Sequence, residues 1–195
     1  MIAIVDYGAG NLSSVKKALE HVGATAEVTC DPHVIAAAEK LVVPGVGHFN
    51  RCQPLNRELR LPLLDAFSSG KPFLGICVGM QWLFEGSAEA LEISGAGLFP
   101  GECEHFPPAV KSPHVGWNQI SVRNGSRLLR GIESGAFVYY THSYRAPMVG
   151  ETVASSQYGG QFSAAVERDN VFGVQFHPEK SGATGLKILE NFCGL

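Results

Sequence analysis

Apolar segments alternate with helix-compatible segments along the first half of the chain. Strands are predicted at residues 2–6, 24–29, 41–43 and 73–76, and helices at residues 12–22, 34–40 and 59–69. Apolar runs without polar alternation are typical of strands that are covered on both faces. Strands that alternate with helices predict a parallel, doubly wound sheet. We therefore expect a three-layer α/β/α fold with a mostly parallel central sheet.

The pattern changes after about residue 95, where glycine and proline separate shorter segments. Candidate strands at 118–122, 137–140 and 152–158 predict hairpins and edge strands, which are antiparallel. A strand at 171–176 and a helix at 184–192 then restore the order of the first half. The sequence has no linker, low-complexity tract or repeat, so residues 1–195 are expected to form one domain.

Composition excludes several classes of function. Charged residues make up 17% of the chain and hydrophobic residues 45%, so much of the chain should be buried in the fold or at an interface. The net charge is −3 and no basic run is present, so nucleic acid is not an expected partner. No apolar stretch approaches about 18 residues, so no membrane span is expected, and residues 1–6 favour a first strand over a signal peptide.

The cysteines and histidines give no sign of a metal or a disulfide framework. Five cysteines are present, an odd number, and no Cys-x-x-Cys occurs. No histidine pairs with another histidine or a cysteine at ligand spacing. We expect no metal and no other cofactor, and a reducing cytoplasm, which keeps a reactive thiol free.

The segment Gly75-Ile76-Cys77-Val78-Gly79 follows an apolar strand and precedes the helix-compatible residues 80–85. Glycines at this spacing permit a sharp strand-to-helix turn, the cysteine counterpart of the Gly-x-Ser-x-Gly nucleophile elbow. At a helix N-terminus, the helix dipole would favour the thiolate of Cys77. A buried structural cysteine beside packing glycines is the alternative interpretation.

A second candidate segment is His177-Pro178-Glu179, directly after the predicted strand 171–176. On an extended stretch His177 and Glu179 would share a face, although Pro178 and the strand end can bend it. A histidine base oriented by a carboxylate is what a cysteine nucleophile needs. Alone, the segment favours a surface turn, but together with the elbow at an adjacent strand end it favours catalysis.

A third segment, Gly8-Ala9-Gly10, follows the first strand and invites comparison with dinucleotide-binding turns. The full Gly-x-Gly-x-x-Gly is absent because position 13 is serine, and no acidic residue follows at the expected distance. A tight turn is the favoured interpretation, and a small phosphate or a partner loop at this turn stays open.

These segments together resemble the class I (triad-type) glutamine amidotransferases, on Pro44-Gly45-Val46-Gly47, on residues 75–81 and on Phe176-His177-Pro178-Glu179. Within that class, residues 5–12, 113–118, 142–144 and 175–182 resemble the glutaminase subunits of imidazole glycerol phosphate synthase. The resemblance extends from about residue 4 to residue 192. It implies the flavodoxin-like fold of class I glutamine amidotransferases, with additional antiparallel strands in the second half.

The resemblance also implies an activity. Glutamine would be hydrolysed to glutamate and ammonia, with Cys77 as nucleophile, His177 as base and Glu179 as its orienting carboxylate. The ammonia would pass to a separate (β/α)8-barrel cyclase subunit in a heterodimer. There it would yield imidazole glycerol phosphate and an aminoimidazole carboxamide ribonucleotide, a step of histidine biosynthesis.

Further site residues are implied in the same way. The backbone N–H of Val78 is a predicted oxyanion donor by elbow geometry, and a second donor is expected from Val46 or Gly47. The expected glutamine contacts are Gly47, Gln81, Ser143, Tyr144 and Glu89. For Gln81 a helix-surface amide is the alternative, and for Glu89 a solvated charge.

A few residues are expected to lie near a partner rather than in the chemistry. Asn11, Trp117 and Lys180 are candidate interface residues, and for Lys180 an exposed lysine without a partner is equally compatible. His114 is expected in the core or near the interface. For His142 a hydrogen-bonded core histidine is favoured over a second catalytic base.

Three alternative functions remain open at this point. A paralogous glutaminase would feed another synthase, such as one amidating a surface-polysaccharide sugar, with the same catalytic residues. The cysteine-elbow α/β superfamily of stress proteins and peptidases is disfavoured, because it is not expected to carry His-Pro-Glu at the last strand. A non-catalytic regulatory subunit is disfavoured because all three triad positions are filled.

Overall fold

The computed structural model describes residues 1–123 and 125–195. The strands of the first half are β1 (Ile2–Val5), β2 (Ala26–Thr29), β3 (Lys40–Gly45), β4 (Phe73–Cys77) and β5 (Gly86–Ser87). The second half contains β6 (Glu102–His105), β7 (His114–Gln119), β8 (Ser121–Val122), β9 (Phe137–His142), β10 (Tyr144–Arg145), β11 (Thr152–Gln157), β12 (Gln161–Arg168) and β13 (Val171–Val174). The helices are α1 (Leu12–His21), α2 (Pro32–Ala37), α3 (Arg60–Ser68), α4 (Val78–Gln81) and α5 (Gly182–Cys193), with 3-10 segments at Phe49–Asn56 and Pro178–Lys180.

An eight-stranded sheet with the strand order β2-β1-β3-β4-β13-β12-β11-β8 forms the centre of the molecule. The first five of these strands are parallel, and β12, β11 and β8 continue the sheet in antiparallel pairing. The parallel part has the 2-1-3-4-5 order of flavodoxin-like folds. The expected fold class, a mostly parallel sheet with antiparallel strands from the second half, is therefore confirmed.

Helices cover both faces of the parallel strands. Right-handed crossovers from β1 to β2 and from β2 to β3 run in opposite directions along the sheet, which places α1 and α2 on opposite faces. In agreement, α3 packs against α2, and α5 packs against α1. Because both faces are covered, β1 and β4 are buried at every position, as their continuous apolar sequence predicts.

Capping side chains explain where the first two helices begin. Asn11 accepts a hydrogen bond from the backbone N–H of Ser14 at 3.4 Å, the expected cap of α1. Asp31 does the same for His33 at 2.8 Å, with Pro32 in the first turn of α2. This second cap starts α2 two residues before the predicted position 34, and the helix ends at Ala37 because Ala38 is extended.

Several predicted boundaries are wrong in the second half. The single strand expected at 118–122 is two strands, since β7 pairs with β9 in a separate two-stranded sheet and β8 lies on the edge of the central sheet. Strand β12 and the 3-10 segment Phe49–Asn56 were not predicted. A further three-stranded sheet has the order β10-β6-β5.

In the described residues, no helix combines the length and apolarity needed to cross a membrane.

Candidate active site

Cys77 lies at the sharp turn between β4 and α4. Its backbone has φ 54° and ψ −109°, a left-handed conformation that is strained for a residue with a Cβ. Such strain is typical of nucleophile elbows, because it lifts one side chain above the strand ends. The helix predicted at residues 80–85 is wrong, since α4 is a single turn ending at Gln81. A helix this short contributes little dipole at Cys77.

The elbow packs so closely against β3 that glycine is required on both sides. A Cβ added at Gly45 would lie 2.7 Å from the Val78 Cβ and 2.9 Å from the Gly79 backbone nitrogen. A Cβ at Gly79 would overlap the backbone carbonyl of Val43. Gly45 is also the register partner of Cys77. The loop that follows Gly45 is therefore held next to the nucleophile.

His177 and Glu179 lie just after β13, the strand next to β4 in the sheet. Their side chains are 1% exposed each, and His177 Nδ1 lies 2.8 Å from Glu179 Oε1. Glu179 belongs to the 3-10 segment Pro178–Lys180 and not to an extended stretch. The turn, rather than alternation along a strand, brings the carboxylate to the imidazole.

Backbone hydrogen bonds to β9 fix the position of this histidine. The His177 N–H donates to the Tyr139 carbonyl at 2.9 Å. The Ser181 hydroxyl donates to the His177 carbonyl at 2.6 Å and accepts from the Tyr139 N–H at 2.9 Å. The backbone of His177 is thus tied to β9 through both its N–H and its carbonyl group.

The charge environment favours a cationic His177. Burial opposes the charged form, but the neighbouring Cys77 and the hydrogen-bonded Glu179 outweigh burial and raise the pKa of His177 to about 10. Its Nε2 is buried and has no hydrogen-bond partner within residues 1–123 and 125–195. A cation beside the sulfur favours thiolate chemistry. Burial raises the pKa values of Cys52 and Cys103, so these thiols are inert near neutral pH.

A cleft of about 270 Å³ opens above the elbow. It brings together most of the residues that were predicted to contact glutamine or the oxyanion. The cleft is lined by Gly47, Cys77, Val78, Gln81, Glu89, Pro113, Thr141, His142, Ser143 and Tyr144. Val46, between Gly45 and Gly47, is half-buried behind it. Pro113 and Thr141 were not predicted from the sequence.

Among the described residues, four larger cavities of about 710, 530, 380 and 290 Å³ lie elsewhere. The largest of these four is lined by Gly70, Asn170 and Val171, which precede or begin β4 and β13. It therefore lies at the amino ends of the parallel strands, the opposite end of the sheet from Cys77. Ligands of open parallel sheets bind outside the carboxyl ends, which favours the smaller cleft as the reaction site.

Gln81 is buried at the base of the cleft and is not a helix-surface amide. Its Nε2 donates to the Tyr144 carbonyl at 2.8 Å and to Gln175 Oε1 at 3.1 Å. Both N–H groups are thereby used, which leaves Gln81 Oε1 for a ligand. Glu89 is half-buried, and its Oε2 accepts from the Phe49 backbone N–H at 2.8 Å. Its side chain is held at the cleft wall.

Gln175 was not predicted to be a residue of the site. Its side chain is completely buried, and its Nε2 lies 3.6 Å from the Cys77 sulfur. The available signal was a single amide within the otherwise apolar residues 171–176, because a buried amide requires hydrogen-bond partners.

His142 and His114 form a hydrogen-bonded pair behind the cleft. His142 Nδ1 lies 2.8 Å from the Tyr144 carbonyl, which only accepts, so Nδ1 carries the proton. His114 Nδ1 then donates to His142 Nε2 at 3.2 Å. Burial lowers the pKa of His142 to about 3 and that of His114 to about 4. Both are neutral near pH 7, and His142 is a hydrogen-bonded buried histidine.

The predicted interface residues lie close to the same end of the sheet. The exposed face of the two-stranded β7–β9 sheet carries Val115, Trp117 and Phe137, exposed by 56%, 56% and 53%. The Trp117 ring meets the Tyr139 ring edge-on at 6.0 Å, and Lys180 lies 5.9 Å from that ring. We call these five residues the β7–β9 face. Asn11 caps α1, which packs against the 3-10 segment containing Lys180.

The family model described as "Glutamine amidotransferase class-I" matches residues 3–194. Curated relatives named imidazole glycerol phosphate synthase subunit HisH are similar over their full length. The relative from Salinibacter ruber is 47% identical over 206 residues, covering 100% of this chain and 94% of the relative. That from Methanothermobacter thermautotrophicus is 48% identical over 193 residues, covering 98% and 97%.

Solved structures show the same fold at low sequence identity. A structure described as a crystal structure of glutamine amidotransferase superposes with a TM-score of 0.77 at 17% identity, covering 100% of both chains. A structure of PurLQS from Thermotoga maritima superposes with a TM-score of 0.74 at 20% identity, covering 99% of this chain and 97% of that one.

Proposed function

Since this chain belongs to the class-I glutamine amidotransferase family, we propose that it hydrolyses L-glutamine through Cys77, His177 and Glu179 and delivers the ammonia to a cyclase subunit. One observation carries this proposal: a strained cysteine elbow and a buried His–Glu pair follow neighbouring parallel strands, and the elbow lines a cleft. Residues 1–195 would act as a single glutamine amidotransferase domain.

In the first step, the Cys77 sulfur attacks the side-chain carbonyl carbon of glutamine. The resulting oxyanion is stabilised by the Val78 N–H and by a second N–H from Val46 or Gly47. His177 accepts the thiol proton and gives it to the departing amide nitrogen, which leaves as ammonia. The product on the enzyme is a γ-glutamyl thioester.

In the second step, a water molecule replaces ammonia above the thioester. His177 accepts a proton from this water, and hydroxide adds to the thioester carbonyl. The thiolate of Cys77 leaves, and glutamate is released. Glu179 supports both steps because it accepts from Nδ1, which orients the ring and stabilises its cationic form.

The cleft residues supply the contacts that free glutamine needs at its amino-acid end. Glu89 and the free Oε1 of Gln81 are acceptors suited to the α-ammonium group. The backbone of Gly47, Ser143 and Tyr144 provides further polar groups around the cleft.

The proposed partner is supported by the β7–β9 face and by the names of the relatives. Apolar side chains exposed together, with lysine at their edge, are typical of a protein interface. The face lies next to Glu179, so a subunit docked there would be close to the site where ammonia forms. In a heterodimer with a (β/α)8-barrel cyclase, the ammonia would yield imidazole glycerol phosphate and an aminoimidazole carboxamide ribonucleotide, as in histidine biosynthesis.

The proposal is tested with a Cys77→Ala variant in complex with the cyclase subunit. Glutamine-dependent product formation should fall to background, whereas formation from added ammonium salt should persist, because the cyclase chemistry lies in the other chain. Retained glutamine-dependent activity in the variant would refute the proposed nucleophile. A wild-type chain that hydrolyses glutamine but does not supply this cyclase would indicate a glutaminase for another synthase.

A further inference from the structure

Gln175 contacts the Cys77 sulfur but has no role in the steps above. Its amide nitrogen lies 3.6 Å from the sulfur, and its side chain is completely buried. Because α4 is a single turn, the helix dipole does not explain how a thiolate would be stabilised at this position. A fixed N–H donor would do so directly, since hydrogen bonds to charged acceptors are stronger than neutral ones.

A backbone carbonyl determines which way the two amides point. The Tyr144 carbonyl can only accept, so the atom of Gln81 at 2.8 Å from it is Nε2. The second N–H of that nitrogen donates to Gln175 at 3.1 Å, which makes the contacted atom Oε1. Gln175 therefore presents its N–H groups, and not its oxygen, to the sulfur.

We infer that Gln175 donates a hydrogen bond to the thiolate of Cys77, and that Gln81 holds it in this orientation while also lining the glutamine cleft. This inference rests on the proposed function, in which Cys77 is the nucleophile. The Tyr144 carbonyl, Gln81 and Gln175 form one chain of hydrogen bonds that ends on the sulfur. Gln175 directly contacts the reacting atom, and Gln81 acts on it as a positioning residue.

The donor matters at the points of the cycle where the sulfur is negatively charged. These are the free enzyme before attack and the thioester hydrolysis step, in which the thiolate leaves. In the thioester the sulfur is neutral, and the contact is weaker. Loss of a hydrogen bond to a charged group corresponds to a change of about tenfold to hundredfold in an equilibrium, so the ratio of thiolate to thiol at a given pH should fall by this factor.

Two substitutions separate the donor from the volume of the side chain. Gln175→Met preserves length without a donor, and Gln175→Glu preserves shape but replaces the donor with an oxygen. The thiolate is followed in the isolated chain by ultraviolet absorbance against pH, as the difference from the same protein carrying Cys77→Ala. Asn191→Ala is the matched control, because Asn191 is a buried amide that donates to the Leu128 and Arg130 carbonyls, away from Cys77.

Both Gln175 variants should need a higher pH to form the Cys77 thiolate, by about one pH unit or more, with the larger shift in Gln175→Glu. Gln81→Leu should shift the titration in the same direction by a smaller amount, and Asn191→Ala should leave it unchanged. In the complex, kcat should fall about tenfold or more for Gln175→Met, with a smaller change in KM for glutamine.

Titration curves of folded Gln175 variants that coincide with the wild-type curve would overturn the inference. If Gln175→Met does not fold, Gln175→Glu and Gln81→Leu decide the question by the same curves. The absorbance measurement needs no turnover, so it separates the two proposals. A chain that never hydrolyses glutamine rejects the proposed function, whereas an active chain with unshifted variants rejects only the role of Gln175.

Discussion

Glu179 Oε1 lies 2.8 Å from His177 Nδ1, and the two side chains are buried to the same extent, 1% exposed each. A buried carboxylate is costly unless a cation accompanies it. Here the carboxylate and Cys77 together keep His177 cationic against the effect of burial. The pair therefore places a buried cation next to Cys77, and in the proposed reaction this cation is the proton donor to the leaving amide.

Glu179→Gln should lower kcat by about 10²–10⁴ with little change in KM, because the imidazole loses its charged partner and its fixed tautomer. The measurement is glutamate release by the stimulated complex. Glu190→Gln is the control, since Glu190 is an exposed carboxylate that pairs with Lys187 on α5. A kcat within about twofold of wild type would show that the carboxylate has no role in orienting the base.

Glu89→Gln should act mainly on substrate binding. The substitution removes a negative charge from the cleft wall where the α-ammonium of glutamine is proposed to bind, so KM should rise about tenfold while kcat changes little. Steady-state kinetics compare this variant with Glu92→Gln, an exposed carboxylate nearby in sequence. If kcat falls and KM does not rise, Glu89 does not bind the α-ammonium group.

The buried histidine pair should make the protein sensitive to acid. His142 and His114 have folded-state pKa values of about 3 and about 4, below the ordinary value of 6.5. Their stabilising effect is therefore complete above about pH 6.5 and is lost as the pH falls toward the folded-state values. The free energy of unfolding should decrease by up to about 1.4 kcal/mol per pH unit for each proton that only the unfolded state binds.

This is measured by urea unfolding between pH 7 and pH 4.5. The free energy of unfolding of His114→Phe should depend less on pH, because one titrating group is removed. The ring at position 114 can still stack on Tyr140 and on Tyr158, as that of His114 does. His33→Gln, at an exposed histidine, should behave like wild type. Equal slopes for wild type and His114→Phe would contradict this account of the pair.

Trp117→Ala should weaken binding of the cyclase subunit by about tenfold or more without lowering the stability of the isolated chain. Trp117 is 56% exposed within the β7–β9 face. Aromatic anchors of this kind dominate interface energies. Binding is measured by calorimetry, with Leu91→Ala as control, because Leu91 is 81% exposed and lies outside the face. Equal weakening in both variants would argue against this face as the interface.

Local motifs predicted the nucleophile elbow and the His–Glu pair, because glycine and proline at fixed spacing leave few backbone choices. The contact of Gln175 with Cys77 was not predicted, since it joins residues 98 positions apart. The helix predicted at residues 80–85 was also too long. Trp82, Leu83 and Phe84 are fully buried, so their hydrophobicity correctly predicted burial, but they form turns bonded to Val78, Met80 and Gln81.

The local sequence pattern could not predict that the strands of the second half are divided among three sheets. Polar and apolar residues alternate over 119–122 without a break, yet β7 pairs with β9 and β8 pairs with β11. Pairing of this kind depends on partners far away in the chain. As a result, the strands that carry most of the β7–β9 face form a two-stranded sheet of their own.

The most direct test of the central proposal is glutamate release from glutamine by this chain alone, then with the cyclase subunit, and then with that subunit and its nucleotide substrate. We expect low release by the chain alone and a large rise only in the complete mixture. High release by the chain alone, unchanged by the cyclase and its ligand, would contradict the proposed partnership. No release in any mixture would contradict the proposed glutaminase activity itself.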